Sequence, residues 1–161
     1  RQILACGMWS LNSDLTRGCG QYRHYVQELL RQYRPDVLAC EDWVWEGAHT
    51  HSSEVTVGLV CIARSFCEQV LVEVIPPRKW SEAIVGHAPS GMAHGWSKPS
   101  WKRSIRRALV LQLVAREMVH DIPAAEALLG EDPGNHGVDA CSLGLYALDQ
   151  AWIRQRIAAS R

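Results

Sequence analysis

The chain has no net charge, no long apolar run, no internal repeat, no low-complexity tract and no CxxC pair, and each absence excludes something. No uninterrupted apolar segment reaches the roughly 18 residues that span a bilayer, so a membrane partner is not expected. No signal peptide is visible, and the chain opens at Arg1 rather than Met, so a missing upstream segment is expected. Cys6, Cys19, Cys40, Cys61, Cys67 and Cys141 lack the spacing of zinc sites. Most lie in apolar surroundings, where a thiol acts as a small hydrophobe. That predicts a reducing, cytoplasmic setting rather than a secreted disulfide scaffold. With 161 residues and 47% of them hydrophobic, the chain is expected to form one globular domain, 1–161, with a substantial core.

The zero net charge conceals an asymmetry. Between Arg78 and Arg107 stand Arg78, Lys79, Lys98, Lys102, Arg103, Arg106 and Arg107 against a single acid, Glu82, so this segment is +6 and the remainder −6. Trp80, Trp96 and Trp101 are interleaved with the cations. Basic groups neutralise phosphates and aromatic faces stack on bases, which points to nucleic acid. The plainer alternative is a solvated helix face with tryptophans anchored in the core.

Periodicity orders the rest. Residues 3–11 and Val37–Cys40 read as strands, the second an apolar run of the kind found in buried parallel sheets. A polar connection is predicted from Asn12 to Gly20, a helix over 21–34, a nearly all-apolar helix over 54–68 and a strand over 70–75. A short helix follows over 78–85, then a loop of about fourteen residues, Gly86 to Pro99, long enough to suggest function. Helices are predicted over 100–120, 123–129 and 135–157, the last with Val138, Cys141, Leu145, Leu148 and Trp152 as its buried stripe. Strands alternating with helices predict an α/β domain with a mainly parallel sheet.

Two features carry chemistry. Glu41-Asp42 closes the apolar Val37–Cys40 run, and acids there would emerge at the carboxyl edge of a parallel sheet, where sites form. The second is Asn135-His136-Gly137-Val138-Asp139-Ala140-Cys141, with Asn135 as a helix N-cap. His136 and Asp139, three apart, share a helix face. Asp139 beside Val138 and Cys141 needs a partner, and a divalent cation is one candidate. Mg²⁺ favours oxygen ligands, so Glu41, Asp139 and one more acid would suit it, and His136 would join for Mn²⁺ or act on the attacking water or leaving oxygen. The plainer reading is that Asp139 only offsets a helix dipole and Glu41-Asp42 are loop acids.

The order of these features resembles the RuvC-like Holliday junction resolvases of the RNase H-like superfamily, in their divergent phage and mobile-element form. The resemblance rests on Leu38-Ala39-Cys40-Glu41, Val74-Ile75-Pro76-Pro77-Arg78-Lys79-Trp80 and His136-Gly137-Val138-Asp139-Ala140, and covers nearly the whole chain. It implies an RNase H-like mixed sheet flanked by helices. It implies a Mg²⁺- or Mn²⁺-dependent hydrolase that cuts branched DNA by in-line attack of water, acting as a homodimer in a bacterial or phage-infected cell. Carried over by residue, Glu41 and Asp139 are metal-binding carboxylates and His136 a metal-site neighbour. Lys98 or Lys102 contacts the scissile phosphate, and Arg78, Lys79, Trp80, Lys98, Trp101, Lys102, Arg103 and Arg106 face DNA.

One departure stands out. The family's first strand bears an Asp, and this chain has no counterpart ahead of Glu41 in a suitable strand: Asp14 is in a polar loop and Asp36 starts its strand. The expectation is therefore a chain lacking the first strands and, alone, inactive or nearly so. The competing readings are a catalytically degenerate nucleic-acid-binding module, another RNase H-like nuclease, and a zinc protein using His87, His94 and a cysteine.

Overall fold

The computed structural model describes residues 14–42, 51–88, 99–130 and 136–159, with the side chains of 51–54 excepted. In chain order they form helix α1 (Leu15–Tyr33), strand β1 (Val37–Glu41), α2 (His51–Arg64), β2 (Leu71–Ile75), α3 (Pro77–Val85), α4 (Pro99–Ala115), α5 (Ile122–Leu129), α6 (His136–Asp149) and α7 (Ala151–Ala159). This is a mixed α/β fold, mostly helical, whose two described strands form a small parallel sheet. The strand expected at 3–11 lies outside the described residues. The chain divides into two compact units, one built on Arg78–Tyr146 and the other, among described residues, on 14–77 and 147–159.

In the sheet-bearing unit, α1 starts six residues before the expected Gln21. The cause is Asp14, which caps the helix by accepting a hydrogen bond from the Arg17 N–H at 2.9 Å. Leu15 to Gly20, expected in a polar connection, thereby join the helix, where Cys19 serves packing: a Cβ on Gly58 of α2 would come within 3.3 Å of the Cys19 Sγ. The helix ends with Arg34 in the left-handed region at φ 45°, its N–H on the Leu30 carbonyl, and Pro35 bars continuation.

The β1–α2–β2 segment pairs Val37 with Leu71 through to Glu41 with Ile75. Alternation puts Val72 on one face of β2 and Glu73 on the other. Val72 and Leu38 pack with Tyr22, Leu30 and Ile62 against a buried cluster of Val26, Phe66 and Val70. The helix expected over 54–68 stops at Arg64. There the Ser65 hydroxyl donates to the Ile62 carbonyl at 2.7 Å, competing with the helical ladder, and turns carry the chain to β2.

In the basic unit, α3 opens on Pro77, a residue suited to a first helical turn. Its end is tied to α4 by the Gln112 side-chain amide, which donates to the Ile84 carbonyl at 2.8 Å. Trp80, Trp101, Ile105, Leu109, Leu113 and Val138 are buried. Helix α4 ends at Ala115 rather than His120: Glu117 turns left-handed at φ 56°, and the Met118 N–H returns to the Leu113 carbonyl at 2.9 Å. Asp121 then caps α5 through the Ala124 N–H at 2.8 Å.

The single helix expected over 135–157 is two helices. The ladder breaks at Gln150, whose N–H reaches Ala147. The break changes the helical phase of α7, so Ile153 is buried and Trp152, expected in the buried stripe, is exposed; Leu148, in the last turn of α6 and expected in the same stripe, is exposed too. Of the five described cysteines, Cys61 and Cys67 are exposed and the others half-buried.

Candidate functional site

Glu41 is the last residue of β1 and exposed, at the carboxyl end of the parallel pair. Asp42 follows, half-buried, and its N–H extends the ladder to the Ile75 carbonyl at 2.9 Å. Strand alternation separates the two acids, with Glu41 turned to solvent.

In the other unit, His136 opens α6 and is exposed, while Asp139 sits in the first turn, half-buried, next to the fully buried Val138. Asn135, the expected cap, lies outside the described residues. Asp139 has a cationic partner within the chain: the Lys102 Nζ stands 3.8 Å from its Oδ2, with the two side chains 35% and 21% exposed. Of the two lysines expected near the scissile phosphate, Lys102 is therefore placed against an expected site acid, and Lys98 lies outside the described residues. Both groups retain solvent access, so the pair is worth about 1 kcal/mol or less.

Helix α4 does more than supply Lys102. Arg106, one turn later on the same face, directs its guanidinium to α5, where Nε donates to a Glu126 carboxylate oxygen at 2.8 Å and Nη2 to the Gly130 carbonyl at 3.0 Å. Gly130 is the cap that ends α5, with φ 64°, a conformation glycine adopts without strain. One face of α4 therefore meets the end of α5 through Arg106 and the first turn of α6 through Lys102.

The remaining basic-segment residues divide by exposure. Arg78, Lys79, Arg103 and Arg107 are exposed; Lys102 and Arg106 are half-buried. Trp80 and Trp101 are 3% and 5% exposed, so their rings are core anchors and not faces on which bases stack. This corrects the nucleic-acid reading of both tryptophans, and the reason is hydrophobic burial. His87 packs edge-on against Trp101, ring centroids 5.7 Å apart, and its Nδ1 lies 2.7 Å from the Ala88 carbonyl. His94, the other histidine of the zinc alternative, lies outside the described residues. Among the described residues no three His, Cys, Asp or Glu side chains are grouped to hold a metal ion.

The sequence reading overlooked Glu73. Its carboxylate is buried in mid-strand and ion-paired to Arg156 of α7. An acid interrupting Val70-Leu71-Val72 and Val74-Ile75 was itself the signal, since a buried carboxylate requires a partner. Nearby in the same unit, burial pushes the Cys40 thiol up to about 11, with Asp42 adding to the rise and Arg64 opposing it. Burial also raises the Tyr22 hydroxyl to about 12, helped by Cys40.

No family model matches the chain, and no curated protein matches it in sequence. Among solved structures it is similar to RuvC of Thermus thermophilus, with a TM-score of 0.53 and 16% identity over 94% of this chain and 76% of that one. At that identity the likeness concerns the fold alone, a RuvC-like α/β arrangement.

Proposed function

We propose that this chain is a structure-selective endonuclease that hydrolyses phosphodiester bonds in branched DNA, four-way junctions foremost, on an RNase H-like fold and as a homodimer. The observation that carries the reading is Asp139 in the first turn of α6, held against Lys102 of α4, within a fold similar to RuvC. Glu41, exposed at the carboxyl end of β1, is the second proposed carboxylate.

The roles follow from the chemistry of each group. Asp139 and Glu41 are the acids of the reaction. Lys102 neutralises the phosphate at the cut, exchanging its contact with Asp139 for a phosphate oxygen. His136, solvent-exposed beside Asp139 on the helix, moves a proton to the leaving oxygen or from the attacking water. Arg78 and Lys79, exposed on α3, bind backbone phosphates with Lys98 and Lys102. Arg106, engaged by Glu126 and Gly130, supports the scaffold instead.

A Mg²⁺ or Mn²⁺ requirement belongs to this reading through the resemblance. The described residues do not themselves group three ligands, so these residues do not fit a complete ion site. A second reading is a nucleic-acid-binding module without nicking activity, consistent with the lack of a first-strand Asp ahead of Glu41. Gel assays on a four-way junction and a linear duplex of the same sequence, with and without Mg²⁺, separate them. With the natural gene product, junction nicking that requires Mg²⁺ and is lost in Asp139→Asn is the expected result. Junction binding with no nicking under any divalent ion would establish the module instead.

A further inference from the structure

Helix α4 places Arg103, Arg107 and Leu111 at four-residue steps, so the three form one stripe. With Arg106 and Val110 alongside, and Ile122 and Glu126 of α5 opposite, they line a groove of about 380 Å³. The groove is polarised. Its apolar end is bared to solvent, with Leu111 51% and Ile122 50% exposed. Its other end carries the exposed guanidiniums of Arg103 and Arg107, neither of which forms an ion pair among the described residues. Among the described residues the only acid lining the groove, Glu126, already accepts from Arg106.

We infer that this groove docks a segment of a protein partner in which acidic residues adjoin branched aliphatic ones. The acids meet Arg103 and Arg107, and the aliphatic side chains cover Leu111 and Ile122. Charge complementarity selects the acidic end, and removal of exposed aliphatic surface from water favours the other. A DNA backbone would satisfy the two guanidiniums and leave Leu111 and Ile122 wet, so the combination favours a peptide. The inference stands independently of the nuclease reading.

The test is fluorescence anisotropy on the full chain with short labelled peptides in which a run of Asp and Glu precedes or follows Leu and Ile. Saturable binding is expected, weakened by salt. The double variant Arg103→Glu/Arg107→Glu should lose about tenfold or more in affinity, and Leu111→Ser or Ile122→Ser a similar factor. Both aliphatic side chains are half exposed, so thermal melts of these variants should match the parent; labelled duplex DNA should bind Leu111→Ser as it binds the parent. Absence of peptide binding overturns the inference, as does affinity unchanged by the arginine reversal or by both serine variants. Loss of duplex binding alone on arginine reversal would make the groove a nucleic-acid surface and overturn it too. So would a dimer in sedimentation that Leu111→Ser dissociates, which would assign the groove to a second copy of the chain.

Discussion

Glu73 brings a buried charge into the sheet-bearing unit. Its carboxylate is 6% exposed and its cation, Arg156, is about half exposed. Removing the cation leaves an acid in a place where water cannot replace the lost partner. Arg156→Ala should therefore lower unfolding free energy by about 1–3 kcal/mol in urea titrations, less than for a fully enclosed pair because the arginine is partly solvated. Glu73→Gln in the Arg156→Ala background should recover much of the loss; no recovery would show that Arg156 acts through packing. Cys40 and Tyr22 predict a pH response in the same unit. Both groups hold their protons more tightly when folded, at about 11 and about 12 against ordinary values of 9.0 and 10.0. The unfolded chain ionises first as pH rises. Stability is thus fully present below pH 9.0 and declines as pH climbs through 11 toward 12. Circular dichroism melts should show Cys40→Ala closing on the parent between pH 9 and 11, as the parent alone loses its thiol's contribution. A constant gap across that range would contradict this.

At the scale of elements, helix contacts and caps decide what the sequence pattern leaves open. Gly58 faces Cys19 where α1 and α2 approach, and a Cβ there would already press on the Cys19 Sγ at 3.3 Å. Gly58→Leu should cost about 1–3 kcal/mol by overpacking, read as a lower melting temperature with unchanged helix content. The Arg106 guanidinium fixes the end of α5, so Arg106→Ala should cost about 1–2 kcal/mol and speed amide exchange at Gly130, whose N–H bonds Glu126. Exchange unchanged at Gly130 would show that the cap stands without it. The sequence pattern located β1, β2, α3 and α5 within a residue or two, because Pro35, Pro76-Pro77, Gly86, Pro123 and Gly130 mark their ends. It misplaced the start of α1 and the ends of α2 and α4, where Asp14, Ser65 and Glu117 decide the matter through hydrogen bonds and backbone geometry. It also ran α6 into α7, since the break at Gln150 carries no proline or glycine to announce it.

For the whole molecule, the α/β character was legible from strands alternating with helices, and the likeness to RuvC agrees with it at the level of fold. The placement of Glu41 at a strand end and Asp139 in a first helical turn was legible too, because apolar runs ending in acids and a breaker before a helix are local signals. The Lys102–Asp139 contact was not, since it joins helices distant in sequence, and neither was the burial of Trp80 and Trp101, which their basic neighbours disguise. No described helix is long and apolar enough to cross a membrane. The central claim is that Asp139 and Glu41 are the acids of a junction-cutting enzyme. Losing the Lys102 contact costs about 1 kcal/mol or less, so Asp139→Asn should fold normally and report on chemistry. The decisive measurement is Mg²⁺-dependent nicking of a four-way junction by the natural gene product, compared with its Asp139→Asn and Glu41→Gln variants, with junction affinity measured in parallel. The account predicts nicking by the parent alone and junction binding by all three. Nicking that survives in either variant, or a parent that binds junctions and linear duplex equally and cuts neither, would contradict it.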